Sequence, residues 1–279
     1  MEKTKQEGIP SVITKIQVQK RRKDRFNIYL DGEYAFPVSE AVLIKIGLFK
    51  GMELTKERQK EIELENTAYL SYSIAVDYLS YSLRSEKEVR KKLKENDIPF
   101  EVIEETIQRL HDQRYIDDRI YGESYARTAA NINRKGPFVI AQELKLKGLK
   151  EEVIALSLEQ YPEEFQIENG IKLAEKLLNK QQRTSSRDTI TKVRLHLQQK
   201  GYTQDVINKI MLEVDTETPE DEESAALRIQ GDKIWRRYAR KSEGAPLIQK
   251  VKTNLFQKGY PSEMISEYIE EKKQEEDLE

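Results

Sequence analysis

One pattern, repeated four times, constrains the fold of this chain more than any other feature. Its anchors are four leucines separated by 51, 53 and 58 residues: Leu93, Leu144, Leu197 and Leu255. Four residues before each anchor, one helical turn away on the same face, stands a branched apolar residue: Val89, Ile140, Val193 or Val251. Each pair therefore predicts a helix that packs through one face.

A stop and a further helix follow each anchor. The fourth residue after the leucine is one that suits a helix end, where glycine is favoured because it tolerates the left-handed conformation: Asp97, Gly148, Gly201 or Gly259. An apolar residue comes next: Ile98, Leu149, Tyr202 or Tyr260. An acid then stands where the first turn of a new helix favours negative charge: Glu101, Glu152, Asp205 or Glu263. The spacing predicts a helix pair joined by a tight turn.

Another amphipathic stretch precedes each pair, at 75–83, 121–130, 171–178 and 226–238. Each unit is therefore predicted to be a helix, a second helix, a turn and a third helix. Because such units bury their apolar faces against their neighbours, we predict a mostly α fold of tandem three-helix repeats that form an elongated curved array.

The first part of the chain has the pattern of a small β section. Three short apolar runs, at 12–18, 26–30 and 34–38, predict a hairpin and meander, and Asp31-Gly32 is a strong hairpin signal. A short helix is predicted from Ser39 to Ile46, closed by Gly47. The predicted domains are a β section with this helix and four repeats, the last with an acidic tail: 1–62, 63–117, 118–162, 163–215 and 216–279.

The net charge of −2 conceals segregated charge along the chain. Residues 11–30 hold six lysines and arginines against one aspartate, and residues 228–260 hold nine against two acids. Basic faces separated by acidic joints are typical of proteins that bind anionic partners, although solvated helix faces give the same composition. The chain has no cysteine, no run long enough to span a membrane and no secretory signal, so we expect a cytoplasmic protein.

The sequence lacks the usual marks of an enzyme. It has no phosphate loop, dinucleotide fingerprint, nucleophile elbow or zinc helix, and its two histidines, His111 and His196, lie in different repeats. We therefore predict no catalytic residue, metal or cofactor. Asp117-Asp118 is interpreted as a helix cap rather than a magnesium site, and Trp235 as core rather than a nucleotide-stacking residue.

Basic residues recur near the start of the second helix of a repeat. Arg84 and Lys135 each lie nine residues before an anchor, Arg134 is next to Lys135, and Arg187 lies at nearly the matching place. Clustered cations at such a junction can meet phosphates or the carboxylates of a protein partner. Solvation or pairing along the helix remains an equal alternative.

Several motifs together closely resemble the RecX family, bacterial modulators of the recombinase RecA. They are the RSEKEV segment at 84–89, Lys92-Leu93, Ile103, YIDD at 115–118, YAR at 125–127, Gly136-Pro137, Glu143-Leu144 and KGL at 147–149. The resemblance is strongest over 75–154 and extends over nearly the whole chain. Asp97 departs from it, because the family is expected to have glycine at this helix end.

The resemblance implies a non-enzymatic regulator active in DNA repair, homologous recombination and the SOS response. Such a protein lies in the groove of the RecA–DNA filament and limits strand exchange, ATP hydrolysis and coprotease activity. The residues that it makes candidates for filament contacts are Arg84, Arg127, Arg134 and Lys135. The full set of candidate RecA or DNA contacts adds eight cations: Arg187, Lys192, Arg194, Arg236, Arg237, Lys20, Arg21 and Arg22.

Two other function classes remain to be weighed. The first is a protein that binds single-stranded or double-stranded DNA without RecA, because three-helix units can imitate helix-turn-helix readers. The balanced net charge speaks against tight binding of this kind. The second, a hydrolytic enzyme, lacks any visible catalytic constellation. We expect a monomer whose partners are the RecA filament and single-stranded DNA, with double-stranded DNA as a further candidate.

Overall fold

A computed structural model describes residues 10–180, 184–216 and 219–277 of the chain. It consists of two compact units, Met1–Tyr121 and Gly122–Glu279. The described residues form four strands and thirteen helices.

The first unit contains the sheet and the first helices. Its elements are β1 (Ser11–Val18), β2 (Arg25–Leu30), β3 (Glu33–Ser39), α1 (Glu40–Ile46), β4 (Glu53–Leu54), α2 (Lys56–Tyr81), α3 (Glu86–Lys94) and α4 (Phe100–Asp112). Helix α5 (Asp118–Asn133) begins in this unit and extends into the second.

Helices are the only regular secondary structure in the described residues of the second unit. Its further elements are α6 (Pro137–Leu146), α7 (Glu151–Leu158), α8 (Glu163–Leu178), α9 (Ser186–Gln199), α10 (Gln204–Glu213), α11 (Glu220–Ala239), α12 (Gly244–Gln257) and α13 (Ser262–Asp277). The predicted class, three-helix repeats after a small β section, is confirmed.

The sheet is antiparallel, with the order β3-β2-β1-β4. Asp31 and Gly32 both have positive φ, 49° and 93°, as a tight hairpin turn with matched twist requires, so the predicted hairpin is confirmed. The predicted helix is confirmed as α1, which Ser39 caps at its start and Gly47 ends in the left-handed conformation. The two-residue strand β4 was not predicted, because it is too short to show alternation.

The β section packs directly on α2. Ile28, Phe36 and Val38 are buried in one cluster with Ile62 of α2. The Asn66 side chain of α2 accepts a hydrogen bond from the Ser39 backbone N–H at 2.8 Å. Helix α2 begins at Lys56, where Thr55 caps it, so the predicted 62/63 boundary between the β section and the first repeat lies inside this helix.

The residues that recur in the sequence pattern occupy equivalent places in all four repeats. The four anchor leucines and the four branched residues before them are 0% exposed. At each stop the apolar residue donates its N–H to the carbonyl of the anchor leucine, at 3.2–3.3 Å, in Ile98, Leu149, Tyr202 and Tyr260. The residue before it donates to the carbonyl three positions back, which completes a Schellman motif each time.

Asp97 serves the first of these four turns. Its φ is 57°, whereas the glycines at the other three turns have φ of 92°, 93° and 89°. Aspartate is among the residue types that enter the left-handed region most readily. The absence of glycine therefore leaves the hydrogen bonds of this turn intact.

Candidate cationic interface

The start of the second helix in the first repeat holds Arg84 in a defined place. Ser85 and Glu88 form a capping box on α3, with Glu88 N–H donating to Ser85 Oγ at 3.3 Å and Ser85 N–H donating to Glu88 Oε2 at 3.1 Å. Arg84, immediately before the cap, lays its guanidinium over the Tyr78 ring, 4.4 Å from the ring centre. Its Nε is buried and has no hydrogen-bond partner among the described residues. A fixed cation with an unused donor results.

At the matching position of the second repeat, two neighbouring cations differ in their partners. Lys135 Nζ forms an ion pair with Glu143 at 2.5 Å, and the Tyr125 hydroxyl donates to the same carboxylate at 2.9 Å. Arg134 has a left-handed backbone, with φ of 47°, and its carbonyl accepts from the Tyr202 hydroxyl at 3.0 Å. Its buried Nε, like that of Arg84, has no described partner. Arg134 therefore keeps donor capacity, whereas Lys135 is locally neutralised.

Most of the candidate cations in the third repeat contact other residues of that repeat. Lys192 Nζ pairs with Asp188 at 2.8 Å, and Arg194 Nη1 donates to Asn208 at 2.9 Å. Arg187 is exposed, and its side chain lies beside Gly259. Arg127, on α5, is exposed. These cations are spread along several helices, and the structure does not gather them around one ligand-sized point.

The fourth repeat confirms the core interpretation of Trp235. This side chain is 7% exposed and packs edge-to-face on Tyr268, with ring centres 6.4 Å apart. Arg237 lies over the Tyr238 ring at 4.7 Å and donates to Asn254 at 3.4 Å, whereas Arg236 is exposed. Trp235 is therefore unavailable for stacking on a nucleotide.

The loop between β1 and β2 carries the remaining candidates, and its basic side chains are exposed as predicted. Lys20, Arg21 and Arg22 are all accessible to solvent. Arg22 pairs with Asp24 at 2.9 Å, and this hydrogen bond lowers the pKa of the Asp24 carboxyl. Of these three candidates, Lys20 and Arg21 are the ones that Asp24 does not pair.

A polar network joins the first repeat to the start of α5. Glu86 accepts from Arg90 at 2.6 Å and contacts His111 Nε2 at 2.8 Å, and its backbone N–H donates to Asp118 at 2.9 Å. Burial raises the pKa of Asp118, with the Glu86 charge adding to it. Burial also acts to raise the pKa of Glu86, but the hydrogen bonds from Arg90 and His111 prevail and lower it.

Asp117 and Asp118 each cap a helix, but they do not cap the same one. Asp117 caps α5 by accepting from the backbone N–H of Arg119 and Ile120, at 2.8 and 3.2 Å. Asp118 instead caps α3, through Glu86. Within the described part of the chain, no three His, Asp or Glu side chains are grouped as metal ligands would be. His196 lies partly buried on α9, and burial lowers its pKa.

Three stacked cations were not among the predicted residues. Arg109 lies over the Tyr72 ring at 3.9 Å, Lys92 lies 5.9 Å from the Tyr78 ring, and Lys15 lies 5.1 Å from the Tyr29 ring. No local spacing connects Arg109 with Tyr72, because they belong to different helices. The frequency of tyrosine beside basic residues was the available signal, and it did not identify the partners.

Comparison with protein families matches most of the chain. The N-terminal domain of the regulatory protein RecX matches residues 11–55, and its first and second three-helix domains match 72–110 and 117–158. The third three-helix domain matches twice, at 163–211 and 220–269. The last two repeats are therefore of one type. Among the helices of residues 10–180, 184–216 and 219–277, none combines the length and the apolar character that a membrane span requires.

Individual relatives agree with these matches. The chain is 38% identical to a regulatory protein RecX of Bacillus cereus strain B4264 over 275 residues, which cover 95% of this chain and 100% of the relative. It is also 38% identical to that of Oceanobacillus iheyensis, over 95% and 99% of the two chains.

Two solved structures are similar to the fold. A crystal structure of regulatory protein RecX is 43% identical, with a TM-score of 0.59 over 73% of this chain and 100% of that chain. RecX from Lactobacillus salivarius is 38% identical, with a TM-score of 0.52 over 55% and 99% of the two chains. The repeated three-helix units, the sheet before them and these matches over most of its length show that the chain belongs to the RecX family of regulatory proteins.

Proposed function

We propose that this protein is a negative regulator of RecA that binds in the groove of the RecA–DNA filament. In that position it limits strand exchange, ATP hydrolysis and coprotease activity. Membership of the RecX family, whose members regulate RecA, supports a RecA partner. The filament site, the negative sign and a monomeric state belong to the proposal.

The observation that carries the filament contact is the state of Arg84 and Arg134. Each stands just before the second helix of its repeat, and each has a buried Nε that no described group satisfies. Both side chains are only partly buried, and a guanidinium is suited to a carboxylate or phosphate oxygen because it forms charge-assisted, bidentate hydrogen bonds. Filament surfaces offer both kinds of oxygen.

The test measures RecA ATP hydrolysis and strand exchange on single-stranded DNA while the protein is titrated. Wild type is expected to inhibit both at amounts up to stoichiometric with RecA. Arg84→Glu combined with Arg134→Glu is expected to raise the half-inhibitory concentration at least tenfold, which corresponds to about 1.4 kcal/mol. Lys60→Glu, a single charge reversal at an exposed position of α2, serves as the control.

Two results would contradict the proposal. If wild-type protein at stoichiometric amounts leaves both RecA activities unchanged, the regulatory role fails. If the double variant inhibits as well as Lys60→Glu, the two arginines are not contacts. If the helical repeats instead bind DNA without RecA, the wild-type protein should bind DNA with submicromolar affinity that falls steeply as salt is added. The Arg84→Glu and Arg134→Glu changes should then both weaken DNA binding.

A further inference from the structure

The β-sheet has an unusual row of side chains on its outer face. Lys15, Tyr29 and Tyr34 are cross-strand neighbours on β1, β2 and β3. The Lys15 ammonium lies 5.1 Å from the Tyr29 ring centre, and the two tyrosine rings meet edge-to-face with centres 6.0 Å apart. Tyr34 is 56% exposed. The row therefore presents aromatic surface and a cation together.

Two irregularities in the sheet border this row. The β1–β2 register shifts between Ile13 and Lys15, and the β2–β3 register shifts between Ile28 and Tyr29. Each shift lies next to the row, and β-bulges redirect side chains in this way. Without the second shift, strict alternation would place Tyr34 on the same face as the core residue Phe36.

An adjoining row supplies amide groups. Gln17 and Asn27 are neighbours across β1 and β2. Gln19 Nε2 donates to Asn27 Oδ1 at 2.8 Å, and the Tyr29 hydroxyl donates to Gln17 Oε1 at 3.3 Å. Side-chain amides carry both donors and acceptors, and these bonds use only part of that capacity. The row can therefore form hydrogen bonds with polar edges of a ligand.

The core of the first unit does not use this face. Ile28, Phe36 and Val38 point the other way and are buried with Val42 of α1 and Ile62 of α2. Both helices that pack on the sheet therefore lie on the face opposite to Tyr29. Exposed tyrosines contribute little to burial here, so the packing of the unit does not explain the row.

Cations lie in the loop that joins β1 and β2, at one end of the sheet. Residues 20–23 are four consecutive exposed lysines and arginines, and the nearby acids are Asp24, which binds Arg22, and Glu40. The row of Lys15 and Tyr29 lies about four residues along the strands from this loop, roughly 13 Å at strand spacing. Positive charge at this distance can meet the phosphates that follow a stacked base.

We propose that this outer face of the sheet binds an unpaired nucleic-acid strand. Bases stack on Tyr34 and Tyr29, the amides of Gln17 and Asn27 contact base edges, and the 20–23 loop neutralises phosphates. A duplex is a poor ligand because its bases are already stacked on one another. This site is separate from the arginine junctions and does not rest on the proposed regulation of RecA.

The experiment measures fluorescence anisotropy of a 5′-labelled dT12 strand with the full-length protein. Tyr34→Ala is expected to weaken binding about 5- to 160-fold, the usual range for loss of one stacked base, and Tyr34→Phe to restore it. The matched control is Tyr81→Ala, which removes a tyrosine that is 78% exposed on α2. Thermal unfolding of each variant checks that the fold is retained.

A second readout locates the strand. A bromodeoxyuridine-substituted strand is irradiated with the protein, and a cross-link to Tyr29 or Tyr34 is expected. The proposal is overturned if Tyr34→Ala binds dT12 like Tyr81→Ala, if an unlabelled duplex competes as well as an unlabelled strand, or if cross-links map only to the helical repeats. It is also overturned if Tyr34→Ala loses RecA inhibition while its dT12 affinity is unchanged, because the face then contacts protein. Failure of RecA inhibition in wild type leaves the dT12 result unaffected.

Discussion

Two junctions between repeats in the second unit have the same arrangement but different chemistry. In both, the start of the second helix of one repeat lies on the Schellman turn that ends the second helix of the next. Between the second and third repeats the contact is backbone on backbone: Gly136 N–H donates to the Lys200 carbonyl at 2.7 Å and Phe138 N–H to Gly201 at 3.1 Å. The free N–H groups of one helix thereby satisfy the free carbonyls of the other.

The junction between the third and fourth repeats uses side chains instead. The Ser185 hydroxyl donates to the Lys258 carbonyl and accepts from the Asp188 N–H. Glu223, on the first helix of the fourth repeat, accepts from the Ser186 backbone N–H at 3.0 Å. The geometry of the repeats therefore specifies where the helix ends meet. The local residues specify whether backbone or side chains satisfy them.

The largest expected effect tests the backbone junction. In Gly136→Ala the added Cβ would lie 2.3 Å from the Gly201 carbonyl carbon, so backbone must move. We expect a loss of about 3 kcal/mol in the free energy of unfolding, measured by urea denaturation with circular dichroism. Gly244→Ala is the control, because its φ is 59° but nothing lies within 4 Å; strain alone is expected to cost about 1 kcal/mol. Equal losses in the two variants would contradict a close-packed junction.

The side-chain junction is expected to respond more mildly. Glu223 is 7% exposed, and Glu223→Ala leaves the Ser186 N–H without its acceptor. The expected loss is about 1–2 kcal/mol, as for a removed helix cap, by the same denaturation measurement. Glu222→Ala, one residue earlier and exposed, should have almost no effect. If the two variants unfold alike, Glu223 is not a cap.

The smallest expected effect concerns the acid that has the corresponding role in the first repeat. Asp118 caps α3 as Glu223 caps α9, but burial raises the Asp118 pKa, so its ionised form is favoured less in the folded state than in the unfolded state. Asp118→Asn is therefore expected to change stability at pH 7 by less than about 1 kcal/mol, in the stabilising direction. Its advantage over wild type should shrink as pH falls through the range in which Asp118 gains its proton.

Glu86 provides the control of opposite sign. Its pKa is lowered by its hydrogen bonds to Arg90 and His111, against the effect of burial, so its ionised form stabilises the fold above the ordinary glutamate pKa. Glu86→Gln should destabilise the protein at pH 7, and the difference from wild type should disappear as pH falls through the lowered pKa. Unfolding curves from pH 3 to 7 measure both variants. Parallel pH profiles for the two would contradict the assignment.

Local patterns predicted most of the fold. The anchor leucines, the branched residues before them and the turn residues after them lie within one or two helical turns, so their roles follow from helix geometry. The hairpin at Asp31-Gly32 follows from turn chemistry in the same way. The first turns of α2 were assigned to the β section, before the predicted 62/63 boundary, because their polar residues show no apolar stripe. Tertiary contact with the sheet, through Ile62 and Asn66, accompanies that part of the helix.

The candidate site could be predicted only in part. Sequence spacing identified Arg84, Arg134 and Lys135 as basic residues near helix starts, but it could not separate them. Lys135 is neutralised by Glu143, one helix further along, whereas Arg134 is not. Nor could spacing predict that Arg84 lies over the Tyr78 ring or that the Tyr125 hydroxyl donates a hydrogen bond to Glu143. Such pairings depend on which helices face each other.

The amino-acid sequence by itself determined the number of repeats, the ends of the anchor helices and the residues of the cores. These properties are set by interactions between residues close in the chain and by the apolar period. Only the tertiary structure decided which cations are neutralised, how neighbouring repeats satisfy each other's helix ends, and which side chains form a row on the sheet. The physical reason is that hydrogen bonds and ion pairs act over a few ångströms, so their partners are known only when distant segments are brought together.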